Sequence, residues 1–272
     1  MRVEVAGLGF EVSDQGEGPA VVLVHGFPDT HRVWRNQIPA LVEAGYRVIA
    51  PDMRGRGETD MTDGVESYAV SAMIGDIPGL MDALGIVRAH LVGHDWGAGL
   101  SWATAMFFPD RFDSLTAISV GHPGLWRNPT LEQRARSWYM LFFQFEDVAE
   151  AWLQHEDWGL FREWMGGVGD VDATIADLSR PGRLTAGLNW YRANVKPRPP
   201  GEWLDLPPIK VPTMGIWSDR DFALTEQQMA GSGDHVDAPW RYERIEGAGH
   251  WIQNDRPEQL NALLLDHLKQ HG

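Results

Sequence analysis

The stretch G-H-D-W-G, from Gly93 to Gly97, sets a carboxylate where a strand-to-helix turn would expose a serine nucleophile. Its two glycines permit the sharp backbone turn, so the central side chain, Asp95, projects at the N-terminus of the following helix. A serine there needs a base to take its proton. An aspartate, with an ordinary pKa of about 4, is already ionised at neutral pH. Attack by Asp95 on a saturated carbon bearing a leaving group gives an ester between protein and substrate. Attack on an acyl group would give an anhydride, so the residue type disfavours esterase and lipase chemistry. Hydrolysis of the ester then requires a base for water and donors for a tetrahedral oxyanion.

Both requirements have candidates. H-G-F-P-D, beginning at His25, follows the apolar run A-V-V-L-V and offers the backbone N–H of Phe27, which with that of Trp96 forms a candidate oxyanion hole. The bond before Pro28 can be cis. His25 and His94 read as histidines that brace their loops. Further on, W-S-D-R-D-F-A-L ends a strand with two carboxylates, and E-G-A-G-H-W delivers His250 from a glycine loop. Asp95, then Asp221 or Asp219, then His250 is the chain order of nucleophile, acid and base. Asp221 is preferred as the acid because it closes D-x-D before an apolar F-A-L; Asp219 is the alternative. His122 closes a strand and is placed to line the pocket, whereas the remaining histidines fall in helices, a strand start or the tail.

These residues need a scaffold that collects them. Short apolar runs beginning at Ala20, Tyr46, Ala89, Leu115 and Val211 read as strands buried on both faces of a parallel sheet. Helix-length segments lie between them, at His31 to Ala44, Tyr68 to Leu84 and Gly97 to Phe108. Alternation of this kind predicts an α/β architecture, a mostly parallel central sheet flanked by helices, with ligands bound beyond the carboxyl ends of the strands. The alternation breaks after Gly121. Residues 124–203 read as an inserted helical lid rich in Trp and Phe, leaving 1–123 and 204–272 as the core. The proline-dense stretch from Lys196 is a stiff return linker, and Asn254 to Leu268 closes the chain as an amphipathic helix.

Composition sets the limits. The chain has 272 residues, 43% hydrophobic and 22% charged, which fits one globular core with an insertion. A net charge of −15 lacks the basic footprint of a nucleic-acid binder. No run of about eighteen apolar residues offers a membrane span, and the N-terminus does not read as a secretory signal, so the expectation is a cytoplasmic protein, monomeric or homodimeric. The absence of cysteine excludes disulfides and thiolate metal sites; the chemistry calls for no cofactor and no metal.

Over nearly its whole length the chain resembles the α/β-hydrolase superfamily, and within it the epoxide hydrolases. H-G-F-P-D, G-H-D-W-G-A, S-W-Y-M-L-F-F-Q-F-E-D-V-A-E, L-N-W-Y-R-A-N and G-H-W-I-Q-N-D-R-P-E are similar to that family's motifs. The resemblance implies that Asp95 is the nucleophile, that His250 with Asp221 activates water, and that Tyr139 and Tyr191 hold the oxide oxygen of a small hydrophobic epoxide. One departure is visible: Glu146 and Asp147 stand where the family usually has Pro-Gly. Haloalkane dehalogenases, which share the Asp-His-Asp set, are the alternative, but Phe27 supplies no side-chain donor for a halide. Seven of the thirteen tryptophans fall in the lid segment; with Phe142, Phe143 and Phe145 they predict an apolar pocket.

Overall fold

The apolar runs form the middle of one eight-stranded sheet. Its strands are β1 (Arg2–Val5), β2 (Leu8–Gln15), β3 (Ala20–Val24), β4 (Arg47–Pro51), β5 (Ala89–His94), β6 (Phe112–Ile118), β7 (Thr213–Ser218) and β8 (Trp240–Ile245). They lie in the order β1-β2-β4-β3-β5-β6-β7-β8 in the computed structural model, which describes residues 1–166, 170–196 and 205–272. From β4 through β8 every pairing is parallel. Residues of β3, β5 and β7 are buried without exception, as expected for strands covered on both faces.

The antiparallel β1–β2 hairpin was not anticipated. Its turn places Ala6 and Gly7 at φ 50 and 83, the paired positive values of a tight hairpin. With alanine in the first turn position, the sequence lacks the usual Asn-Gly or Asp-Gly signal.

Between β6 and β7 the described residues contain helices and no strand. These are Leu131–Arg136, Trp138–Phe142, Val148–Met165, Val171–Leu178 and Arg183–Asn194. The stretch Val148–Met165 is interrupted at His155–Trp158, where Glu156, Asp157 and Trp158 take φ of 49, 55 and 64. Such values are costly for L-residues, and they redirect the second half of the stretch. Asp147 sits at φ 61, so the position the resemblance assigns to glycine keeps a positive φ here with an aspartate. The 203/204 boundary expected for the lid, and residues 197–204 of the proline-rich linker, lie outside the described residues.

The helix Arg183–Asn194 is fastened to the core. Trp190 Nε1 donates to the Arg54 carbonyl at 3.2 Å, and Asn194 accepts from Val70 N at 2.8 Å while donating to the Tyr68 carbonyl at 2.9 Å. Gly187 makes the close approach possible: a Cβ there would lie 2.5 Å from the Phe27 ring. Among the described residues, no helix is long and apolar enough to cross a membrane.

The helix Trp96–Phe107 leaves β5 with a similar economy of space. A Cβ on Gly97 would lie 2.1 Å from the Val24 carbonyl oxygen, whereas one on Gly99 would meet nothing within 4 Å. Gly97→Ala is therefore expected to cost about 2 kcal/mol or more, lowering Tm by roughly 4 °C or more, with Gly99→Ala neutral or slightly stabilising. Thermal unfolding of both variants checks the pair; equal Tm values would contradict this account of the helix–strand contact.

Candidate active site

Asp95 follows β5 at φ 54 and ψ −125, a positive-φ conformation that an L-residue adopts only under constraint. The constraint is visible on both sides. Its N–H donates to the Ile118 carbonyl at 3.3 Å, and its carbonyl accepts from Ala98 and Gly99 in the first turn of the helix Trp96–Phe107. Across the gap, Phe27 N–H donates to Asp95 Oδ1 at 2.9 Å. Gly26 permits this approach, since a Cβ on it would lie 2.2 Å from that same oxygen. The Phe27–Pro28 bond is cis.

The second carboxylate oxygen faces His250. Nε2 of the ring lies 3.5 Å from Asp95 Oδ2, and Nδ1 lies 3.0 Å from Asp221 Oδ2. Asp221 is itself held by the backbone N–H groups of Ala223 and Leu224, at 2.8 and 3.0 Å. Asp219 instead accepts from Gly247 N at 2.6 Å, and no hydrogen bond or ion pair links it to the imidazole. Burial penalises the imidazolium, but the charges and hydrogen bonds of Asp221 and Asp95 outweigh it and hold His250 up at about 10. Burial likewise works against the Asp221 carboxylate, and His250 and the two backbone donors overcome it, so its pKa falls.

Tyr191 packs against Phe27 and Trp96, which flank Asp95, and Tyr139 packs against Tyr191. Tyr139 lies on the helix Trp138–Phe142 and Tyr191 on Arg183–Asn194, 2% and 1% exposed, with rings 6.0 Å apart. Burial first, and then the Asp95 charge, pushes each well above its ordinary pKa, so both are neutral donors at physiological pH. The Trp96 ring meets the Tyr191 ring edge-on at 5.1 Å. Phe27, Phe143 and Trp164 complete an aromatic enclosure around the pair.

Several expected pocket residues lie elsewhere, Trp138 and Trp152 among them, both exposed. Phe145 is 61% exposed, because the turn after the helix Trp138–Phe142 carries it outward. His122 stacks on His235 at 4.2 Å and meets Trp102 edge-on; β6 has already ended at Ile118, so it stands past the strand end the sequence suggested.

A family model described as alpha/beta hydrolase fold matches residues 19–257. The chain is 36% identical to the AB hydrolase superfamily protein YfhM of Bacillus subtilis, over 98% of this chain and 96% of that one. It is 33% identical to Epoxide hydrolase A of Mycobacterium tuberculosis, again over 98% and 96%. Among solved structures, a Bacillus megaterium epoxide hydrolase in complex with an inhibitor superposes with a TM-score of 0.89 at 25% identity, covering 99% of this chain and all of that one. Epoxide Hydrolase A from Mycobacterium thermoresistibile superposes with a TM-score of 0.83 at 30% identity, covering 99% and 97%. The chain belongs to the α/β-hydrolase superfamily, in its epoxide hydrolase family.

Several residues of this α/β-hydrolase site escaped sequence reasoning. Asp29 accepts from Trp251 Nε1 at 3.0 Å; burial pushes its carboxyl up to about 7 despite that bond, and the Asp95 charge adds to the rise. Its only sequence signal was its place after Phe27-Pro28. Ser119, at φ 68, donates to the His250 carbonyl at 3.1 Å, and His94 Nε2 meets the same oxygen at 2.9 Å. Burial, then the neighbouring His250 charge, lowers His94 to about 4, so the ring is a neutral donor there. His25 braces its loop as expected, with Nδ1 on the Gly26 carbonyl at 2.8 Å and Nε2 accepting from Met53 N at 2.9 Å. A cleft of about 900 Å³ has Asp29 and Trp251 among its lining residues but neither Asp95 nor His250. Among the described residues, no group of three or more His, Asp and Glu is arranged to hold a metal ion.

Two negative charges hold up the His250 proton, so removing one must loosen it. Asp95→Asn is expected to lower the imidazole pKa from about 10 by about one pH unit or more, read by NMR titration of the ring. An unchanged pKa would show that Asp221 alone sets it.

Proposed function

We propose that this protein hydrolyses small hydrophobic epoxides to vicinal diols through an ester on Asp95. The observation that carries the reading is a carboxylate at the nucleophile position, 3.5 Å from an imidazole and enclosed with two buried neutral phenols. The epoxide hydrolases among its relatives support it.

Asp95 attacks an oxirane carbon, and the carbon–oxygen bond opens. The departing alkoxide is a poor leaving group, and it takes its proton from Tyr139 or Tyr191. The alkyl ester forms, and the Asp95 charge disappears. His250 thereby loses one of its two anionic partners, its proton passes to the phenolate left by ring opening, and the neutral ring becomes available as a base. Water, deprotonated by Nε2, attacks the Asp95 carbonyl carbon, and the oxyanion lies between the N–H groups of Phe27 and Trp96. Collapse breaks the bond from that carbon to the alkyl oxygen. Of the two water protons, one ends on the released hydroxyl and the other returns His250 to its charged form as Asp95 becomes a carboxylate again. Asp221 orients the imidazole and stabilises its charged form.

In this reading residues 1–123 and 204–272 form the catalytic core, and 124–203 the lid that supplies the phenols. Halide release has less support: the Phe27 side chain carries no donor for a halide.

Styrene oxide turnover tests the assignments. Asp221→Asn is expected to reduce kcat about a hundredfold or more, whereas Asp219→Asn changes it by less than about threefold. His250→Gln is expected to accumulate a covalent adduct on Asp95, seen by intact mass spectrometry as the added mass of one epoxide. An adduct-free His250→Gln protein, or equal losses for the two aspartates, would contradict the scheme.

A further inference from the structure

The helix Leu131–Arg136, near the start of the inserted segment, puts two side chains on the loop that carries Asp221. Gln133 Nε2 donates to the Ala223 carbonyl at 2.8 Å, and Gln133 Oε1 accepts from Thr225 N at 2.9 Å and from Thr225 Oγ1 at 3.0 Å. Arg136 Nη1 donates to the carbonyls of Asp221 and Leu224. Gln133 is 1% exposed, and Asp221, Ala223, Leu224 and Thr225 are buried with it. A buried amide is costly unless its groups are paired. Here they are paired with this one short loop and with Ser137 Oγ, which Nε2 also reaches at 3.0 Å.

The peptide that Gln133 engages is the one that holds the acid of the site. The Ala223 carbonyl and the Leu224 N–H belong to a single planar unit. Its carbonyl accepts from Gln133, and its N–H donates to Asp221 Oδ1 at 3.0 Å. A hydrogen bond at one end of a peptide polarises the other, so the Gln133 amide acts on the carboxylate through one peptide. The next peptide is held as well, its Leu224 carbonyl by Arg136 and its Thr225 N–H by Gln133. The loop is thus fixed on both sides of the bond that aims Asp221 at His250.

Resting on the ester mechanism at Asp95, we infer that Gln133 is a positioning residue for the second half of the reaction: from the inserted helices it orients Asp221, and through Asp221 the imidazole that activates water. Ester formation draws on the Asp95 anion and a phenolic proton, whereas ester cleavage needs the base that Asp221 orients. Gln133 therefore acts on decay of the ester more than on its formation. A role confined to seating the helices would act on formation too, because Leu131–Arg136 leads directly into Trp138–Phe142, which bears Tyr139.

Gln133→Met keeps the length of the side chain and removes its three bonds to the loop. It changes no charge around His250, where the ionisable neighbours are Asp95, Asp221, Asp29 and His94. Rapid quenching with enzyme in excess separates the two halves: loss of styrene oxide reports ester formation, and diol release reports its decay. Formation is expected within about twofold of the wild type and decay about tenfold slower. The acid limb of the decay rate is expected to move to lower pH by about half a unit, because a looser Asp221 supports the imidazolium less. Unchanged decay, formation slowed as much as decay, or an acid limb that stays in place would each overturn the inference while leaving epoxide hydrolysis intact. Should Gln133→Met not fold, Gln133→Asn keeps the amide and draws it back by one methylene. The same bias toward slow decay is then expected, at about threefold, and wild-type rates in both halves would overturn the inference. Absence of an adduct on His250→Gln would instead contradict the Asp95 ester, and this inference with it.

Discussion

His250 lies 3.5 Å from Asp95 through one nitrogen and 3.0 Å from Asp221 through the other, so one buried ring carries the charge balance of the site. Taking an imidazolium out of water is unfavourable, and the two carboxylates compensate for it. The compensation is conditional on Asp95 remaining an anion. Any reaction that turns Asp95 into a neutral ester changes the proton affinity of His250 at that moment, without movement of the backbone. The rest of the structure keeps these three groups in register: the positive φ at Asp95, the paired N–H groups on Asp221, and the two donors that His94 and Ser119 present to the His250 carbonyl.

The lid contributes what the sheet lacks. Strand ends can present carboxylates and histidines, whereas the neutral phenols come from the inserted helices. Burial raises the pKa of Tyr139 and Tyr191 and keeps them protonated. Gly187 allows the Tyr191 helix to lie directly on Phe27, the residue whose N–H touches the nucleophile. The candidate oxyanion donor and the candidate proton donor are thus packed against one another.

Much of this arrangement was legible in the sequence because it depends on residue types that few other roles require. An aspartate flanked by Gly93 and Gly97 after an apolar run predicts its own exposure, and the parallel strands were readable from runs with no polar face. The β1–β2 hairpin was not, since Ala6-Gly7 is a weak turn signal and β2 mixes buried with half-exposed positions. Choosing between Asp219 and Asp221 also exceeded what spacing can decide: both end the same strand, and only the turn through Ala223 and Leu224 directs one of them to the ring. Phe145 shows the converse, an aromatic residue that looked like pocket lining because the bend at Asp147 could not be read from residue types.

The central claim is that the oxygen added to the substrate comes first from Asp95 and only afterwards from water. A single turnover of styrene oxide with enzyme in excess, run in heavy-oxygen water, tests it directly. The account predicts an unlabelled diol and a heavy oxygen in the Asp95 carboxylate, located by peptide mass spectrometry. A labelled diol in that first turnover, with Asp95 unlabelled, would mean that water attacks the epoxide itself and would contradict the account.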